Sequence, residues 1–271
     1  MIVPITDIDI RLMPGVWPVP EFLRAQVPAI WARLLAANPH LWDGRILGVS
    51  GPDGGPPVVI DGVLRGVAHE DRYSAFLAWR ELGFPEVGVR NLFGSAIIVS
   101  ADGAILLGEM GADTANAGRI YAVGGTLEPG DVRPDGRVDV VGSTVRELAE
   151  ETGLKAGEAR RGNTYVVFDG PRISVAQFFH FDMDALALRE LIRRNLEGQA
   201  HRELADMAIV RGPGELPADR LRGHGARDGV ALQRRAVGDR RPVVQAPGGV
   251  RSARGDQPGH RRGGVVDDDG L

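Results

Sequence analysis

The chain has 271 residues, of which 43% are hydrophobic and 25% charged, with a formal net charge of −4 and no cysteine. That length supports a substantial hydrophobic core in one large domain or two small ones. The absence of cysteine excludes a disulfide scaffold, a thiolate zinc site, an iron–sulfur cluster and a cysteine nucleophile. The acidic balance excludes bulk attraction to nucleic acid. No apolar run approaches the roughly 18–20 residues needed to span a bilayer, and residues 1–10 carry no basic segment ahead of an apolar stretch. The expectation is a soluble, cytoplasmic protein with no membrane or nucleic-acid partner.

In chain order, residues 1–90 read as a Pro-punctuated α+β region, an N-terminal extension or small accessory domain. Pro28 opens a helix over 29–37, with Ile30, Trp31, Leu34 and Leu35 at helical spacing, and Asn38-Pro39 stops it. Strands are expected over 45–50 and 58–67, around the turn-rich segment 51–57. A helix over 71–82 follows, with Tyr73, Phe76, Leu77 and Trp79 as its core face and Gly83 as its C-cap. Residues 96–100 and 104–107 form a hairpin around Asp102-Gly103. An apolar segment over 119–123 runs into Gly124-Gly125, and a helix is expected over 143–152. A second hairpin, 165–168 and 173–181, turns at Asp169-Gly-Pro171, and a helix covers 184–196. The last strand is expected over 207–210.

Residues 213–271 differ in character. Phe181 is the last aromatic residue of the chain, and Arg, Gly, Pro, Asp and Val dominate the end. Such a composition buries too little apolar surface to offset its chain entropy. The segment reads as a disordered tail, or as out-of-frame translation of a GC-rich gene; Lys155 is the only lysine among many arginines, which fits that base composition.

The chemistry concentrates between Gly124 and Leu154. Glu147, Glu150 and Glu151 stand at i, i+3 and i+4, so a helix puts three carboxylates on one face. They repel one another, and Arg146 neutralises only one. Divalent cations meet the remaining charge most simply, and all-oxygen donors suit Mg²⁺ or Mn²⁺ rather than zinc. Gly124-Gly125 lets the backbone turn tightly and approach a metal or a phosphate. Taken alone, the glutamates suit a solvated acidic helix face better than a site; joined to the Gly-Gly strand end and the Thr126-Leu-Glu-Pro129 loop, they point to a site.

This stretch resembles the signature of the Nudix hydrolase superfamily, G-x5-E-x7-R-E-U-x-E-E-x-G-U with U a bulky aliphatic residue. Gly125 matches its first glycine, and Arg146, Glu147, Leu148, Glu150, Glu151, Gly153 and Leu154 match its second half in full. The first half departs from it: Asp131 stands where the pattern has Glu, and 14 residues rather than 7 separate it from Arg146, the excess reading as an inserted turn over 132–138. The resemblance covers residues 92–210. It implies a Nudix-type α/β/α sandwich over 91–212 and a hydrolase that cleaves the diphosphate linkage of a nucleoside-diphosphate derivative such as a nucleotide sugar, ADP-ribose or coenzyme A. It also implies Mg²⁺ or Mn²⁺ held by Glu150 and Glu151, Glu147 as ligand or base, the Gly124 carbonyl as a weaker ligand, and Arg146 orienting a glutamate. Glu203 is the candidate for a further carboxylate, and Asp131 and Glu128 for supports behind the ligands. Arg90, Asn91, Asn116 and Arg119 are candidates for substrate contacts near the cleft. His40, His69 and His180 read as structural. The resemblance also makes a homodimer an expectation. The alternative is a Nudix-fold ligand-binding or regulatory module without catalysis.

Overall fold

The computed structural model describes residues 1–112, 114, 117–200, 202–212 and 215; Asn116 and, apart from residue 215, the expected tail over 213–271 lie outside the described residues. In chain order the elements are β1 (Ile2–Ile5), β2 (Asp7–Val16), α1 (Glu21–Arg24), α2 (Val27–Ala37), β3 (Arg45–Ser50), β4 (Val58–Ile60), β5 (Val63–Arg72), α3 (Tyr73–Glu81), β6 (Asn91–Val99), β7 (Ile105–Met110), β8 (Ile120–Tyr121), α4 (Val140–Thr152), β9 (Arg160–Asp169), β10 (Arg172–His180), α5 (Ala185–Glu197) and β11 (Leu204–Val210). The class is mixed α/β. None of the described helices is long and apolar enough to cross a membrane.

A seven-stranded sheet runs β1-β9-β10-β6-β7-β11, with β8 added on β7. Its centre is the parallel pair β6 and β10, in register from Asn91 opposite Arg172 to Val99 opposite His180. Segment 123–126 bridges β6 at Ala96 and Phe93, so the Gly-Gly pair lies against the middle of the sheet. Helices α4 and α5 pack on one face through Leu148, Leu188, Ile192 and Leu196, against Ala96, Ile98, Leu106 and Phe179. The second sheet, β2-β5-β3 with β4 on β5, packs beside them; Ile10, Leu47, Val49 and Leu64 meet Leu92, Leu127, Val140 and Ile173.

Two strands were not foreseen. β1 pairs antiparallel with β9, and β2 runs parallel to β5, so the first residues join the large sheet rather than standing apart from it. The expected strand 58–67 is broken at Asp61-Gly62, both at positive φ, which folds it into the β4–β5 hairpin. Helix α4 begins three residues earlier than expected, because the Asp139 carboxylate accepts a hydrogen bond from the Gly142 N–H at 2.9 Å and caps it. It ends as expected at Gly153, in the left-handed conformation with φ 72°.

Residues 132–138 form a small hairpin, with Val132 opposite Val138 and Gly136 at its turn. It docks on β2: the Leu12 N–H donates to the Gly136 carbonyl, the Val138 N–H to the Ile10 carbonyl, both at 2.9 Å, and Arg137 Nη2 donates to the Ile8 carbonyl at 2.7 Å. The lengthened connection between loop and helix is therefore anchored by the N-terminal region.

Gly124 sits where no side chain fits, since a Cβ there collides with the Gly94 carbonyl oxygen. Gly124→Ala is expected to lower stability by about 1–3 kcal/mol through overpacking, read as a lower urea midpoint with an unchanged slope.

Candidate active site

Helix α4 presents Glu147 and Glu151 toward the Gly-Gly turn. The closest approach is at Gly125, where a Cβ would occupy the space now filled by the Glu147 carboxyl. Any side chain at this position would displace the Glu147 carboxyl from where it now lies.

Arg146 is the hub of the charges. Its Nη1 lies 2.9 Å from Glu147 Oε1 and 3.1 Å from Glu150 Oε2, and its Nη2 donates to Asp131 Oδ1 at 3.0 Å. Ser143 Oγ, one turn back on α4, takes a longer contact at 3.3 Å. Asp131 is buried, and its other oxygen accepts the Glu128 N–H at 2.9 Å. The loop and the helix are thus joined through one guanidinium. The shorter Asp131 fills the position where the family pattern has Glu and still reaches Arg146.

The glutamates differ in exposure. Glu150 is exposed, the Glu147 side chain is 14% exposed and Glu151 is 9% exposed. Burial is the main influence on the last two. It pushes the Glu147 carboxyl up to about 7, Arg146 pulling it down while Glu150, Glu203 and Asp131 push it further up. Burial and the nearby Glu203 and Glu147 raise Glu151 well above the ordinary carboxylate range, against a lowering hydrogen bond from the Gly124 backbone. Burial also raises Glu128. For Arg146, burial opposes the charge, but its bond to Asp131 and the charges of Asp131, Glu147 and Glu150 outweigh it and raise its pKa.

Glu203, just ahead of β11, is exposed, and its charge acts on both Glu147 and Glu151. Its backbone carbonyl accepts the Gly111 N–H at 2.7 Å, which fixes this corner beside the end of β7. The structure therefore gathers Glu147, Glu150, Glu151, Glu203, Arg146 and the Gly124 backbone in one neighbourhood. Among the described residues, no three His, Asp or Glu side chains stand in an ion-holding arrangement as they lie; Arg146 holds oxygens of Glu147 and Glu150.

The other candidates separate. Arg90 is committed to a fork with Glu86, both contacts at 2.8 Å. Asn91 is buried beside it, at the start of β6. Arg119 offers its carbonyl to the Met110 N–H at 2.9 Å. His180 stacks on Phe178, and the His69 carbonyl accepts the Trp17 indole N–H. Sequence reasoning missed Ser143, three residues before Arg146 and on the same helix face, a spacing that marks it as a neighbour.

No protein-family model matches the chain, and no curated protein matches it. Solved structures do. The MutT protein from Methanosarcina mazei Go1 is 20% identical over 54% of this chain and 94% of that chain, with a TM-score of 0.33. A NUDIX hydrolase from Nitrosomonas europaea is 18% identical over 55% and 87%, TM-score 0.31. The NUDIX domain of Shewanella oneidensis NrtR, complexed with ADP ribose, is 18% identical over 55% and 88%, TM-score 0.34. In its mixed α/β class and in the motif between Gly125 and Leu154, the chain resembles the Nudix hydrolase superfamily.

Proposed function

We propose that the protein is a divalent-metal-dependent hydrolase that cleaves the diphosphate linkage of a nucleoside-diphosphate derivative. The observation that carries this reading is the set of carboxylates around Glu151. Two of them are largely buried and held above their ordinary pKa, and among the described residues Arg146 is the cation that pairs with Glu147. A buried acidic set of this kind is costly without a positive counterpart, and its all-oxygen donors suit Mg²⁺ or Mn²⁺. Glu150 and Glu151 would hold the ion, with Glu147, Glu203 and the Gly124 carbonyl completing the donor set. A bound divalent ion neutralises diphosphate charge and lowers the pKa of water.

The chain's own residues supply the rest. Arg146 fixes the directions of Glu147 and Glu150, and Asp131 fixes Arg146. Glu147 would serve either as a ligand or as the base for water; its carboxyl lies near 7 in the metal-free protein, and a bound cation would lower it. Gly125 keeps clear the space that the Glu147 carboxylate occupies.

The test is incubation of the purified protein with Mg²⁺ and a panel of nucleotide sugars, ADP-ribose, dinucleotides, coenzyme A and nucleoside triphosphates, with products followed by chromatography. The expected result is cleavage at the diphosphate, lost with chelator and in Glu150→Gln/Glu151→Gln. A folded protein that binds Mg²⁺ and a nucleotide without turnover would favour the non-catalytic binding module instead.

A further inference from the structure

Strand β2 ends the order β2-β5-β3, yet its outer edge is covered. The second arm of the hairpin over 132–138 lies along it, with Arg137 opposite Arg11 in antiparallel sense. The hairpin thus acts as one more strand of the small sheet. Besides its bond to the Ile8 carbonyl, the Arg137 guanidinium lies 3.6 Å from an Asp7 carboxyl oxygen and 4.0 Å from one of Asp9. Val138, next in the chain, is buried with Ile10 and Leu47 in the core between the two sheets. The small sheet is itself fixed to the large one at two places. β1, just ahead of β2, pairs with β9. Val49 on β3 exchanges both backbone hydrogen bonds with Arg90, just ahead of β6, at 3.0 and 2.7 Å.

The small sheet also holds the loop on the other side of Asp131. The Leu47 N–H on β3 donates to the carbonyl of the fully buried Leu127 at 2.8 Å. Asp131 therefore lies between two anchored points, Leu127 before it and the docked hairpin after it. The hairpin closes at its base, where the Asp139 N–H donates to the Asp131 carbonyl at 2.7 Å. One end of the hairpin is the residue that holds Arg146, and the other is the cap that starts α4. Arg133 braces that base, with its Nη2 2.8 Å from the Asp139 carboxylate. Left undocked, an added connection of this kind gives its ends more freedom, and a shift of about 1 Å at a positioning group costs on the order of 10²-fold in rate.

We infer that the small N-terminal sheet is the platform that aims the catalytic carboxylates, and that Arg137 is a positioning residue. Arg137 holds the hairpin on β2, the hairpin sets Asp131, and Asp131 directs Arg146 at Glu147 and Glu150. The inference rests on the hydrolase reading above for its effect on turnover. It makes β2, β3 and β5 a working part of the catalytic unit rather than an accessory domain.

The test compares full-length Arg137→Met and Arg137→Lys with Arg24→Met, a control for stability. Arg24 bonds to Asp71 and to the Trp17 carbonyl, each at 2.8 Å, and none of its described contacts is with the hairpin or the loop. Under conditions where all are folded, Arg137→Met should lower kcat by about 10–100-fold with little change in KM. It should also weaken Mg²⁺ binding, followed by calorimetry, by about tenfold. Arg137→Lys keeps a donor for the Ile8 carbonyl and should fall between Arg137→Met and wild type. Arg24→Met should lower the unfolding temperature and leave kcat and Mg²⁺ affinity unchanged. In the metal-free protein, the side-chain N–H resonance of Arg146, assigned by its loss in Arg146→Lys, should move in Arg137→Met and not in Arg24→Met. A folded Arg137→Met with wild-type kcat, Mg²⁺ affinity and Arg146 resonance overturns the inference. A loss of kcat that Arg24→Met shares in proportion to its lost stability also overturns it, since Arg137 would then act on stability alone. If wild type cleaves no diphosphate, the hydrolase reading fails by itself, and the Arg146 resonance still decides whether Arg137 positions Arg146.

Discussion

Replacing Glu151 with glutamine is expected to lower turnover by roughly 10³-fold, within the range for loss of a group acting directly on the reacting atoms, while leaving the metal-free protein at least as stable as wild type. The two effects have one cause. Glu151 is 9% exposed and its carboxyl is raised well above the ordinary range, so burial in the metal-free fold disfavours the charged carboxylate relative to the neutral acid. An amide has nearly the same shape and carries no charge to bury, so the substitution removes an electrostatic cost from the fold and a ligand from the site. This is the stability–function trade-off expected of a functional carboxylate. A structural carboxylate behaves in the opposite way: its loss lowers stability and leaves turnover intact. Thermal unfolding without metal, beside turnover with Mg²⁺, separates the two.

Mg²⁺ is expected to raise the unfolding temperature by ~5–10 °C at 100-fold excess over its dissociation constant, and by more at pH 8 than at pH 6. The sign follows from Glu147, whose folded pKa of about 7 lies above its ordinary 4.5. A carboxyl raised in this way contributes stability that is fully present below pH 4.5 and is lost as pH rises through 7. Glu151 shifts in the same direction. The metal-free protein should therefore weaken between pH 4.5 and about 7. Metal binding needs the ionised carboxylates, so affinity climbs over the upper part of that window. Unfolding curves at pH 6, 7 and 8, with Mg²⁺ and with chelator, check this. A Mg²⁺ increment that is flat or falls with pH would mean that these carboxylates do not hold the ion.

The helix glutamates were legible because their relation is local. Spacing i, i+3, i+4 on any helix puts Glu147, Glu150 and Glu151 on one face, and Gly153 marks where the helix stops. The Asp-Gly turn of the β6–β7 hairpin was legible for the same reason. What the sequence did not disclose is set by distant partners. β1 is four residues long and contains a proline; it becomes a strand because β9 lies ready to pair with it. The hairpin over 132–138 reads as a plain insertion until β2 is seen to hold it. Glu203 was a candidate by position, and only the meeting of its corner with the end of β7 brings its charge to Glu147 and Glu151.

The most direct measurement is ³¹P nuclear magnetic resonance of the protein with Mg²⁺ and a set of nucleoside-diphosphate derivatives. The account predicts that, for at least one of them, the diphosphate resonances give way to those of cleavage products. This should happen only with the divalent ion and not with Glu150→Gln/Glu151→Gln. Diphosphate resonances that persist across the set, in a folded protein shown to bind Mg²⁺, would contradict it.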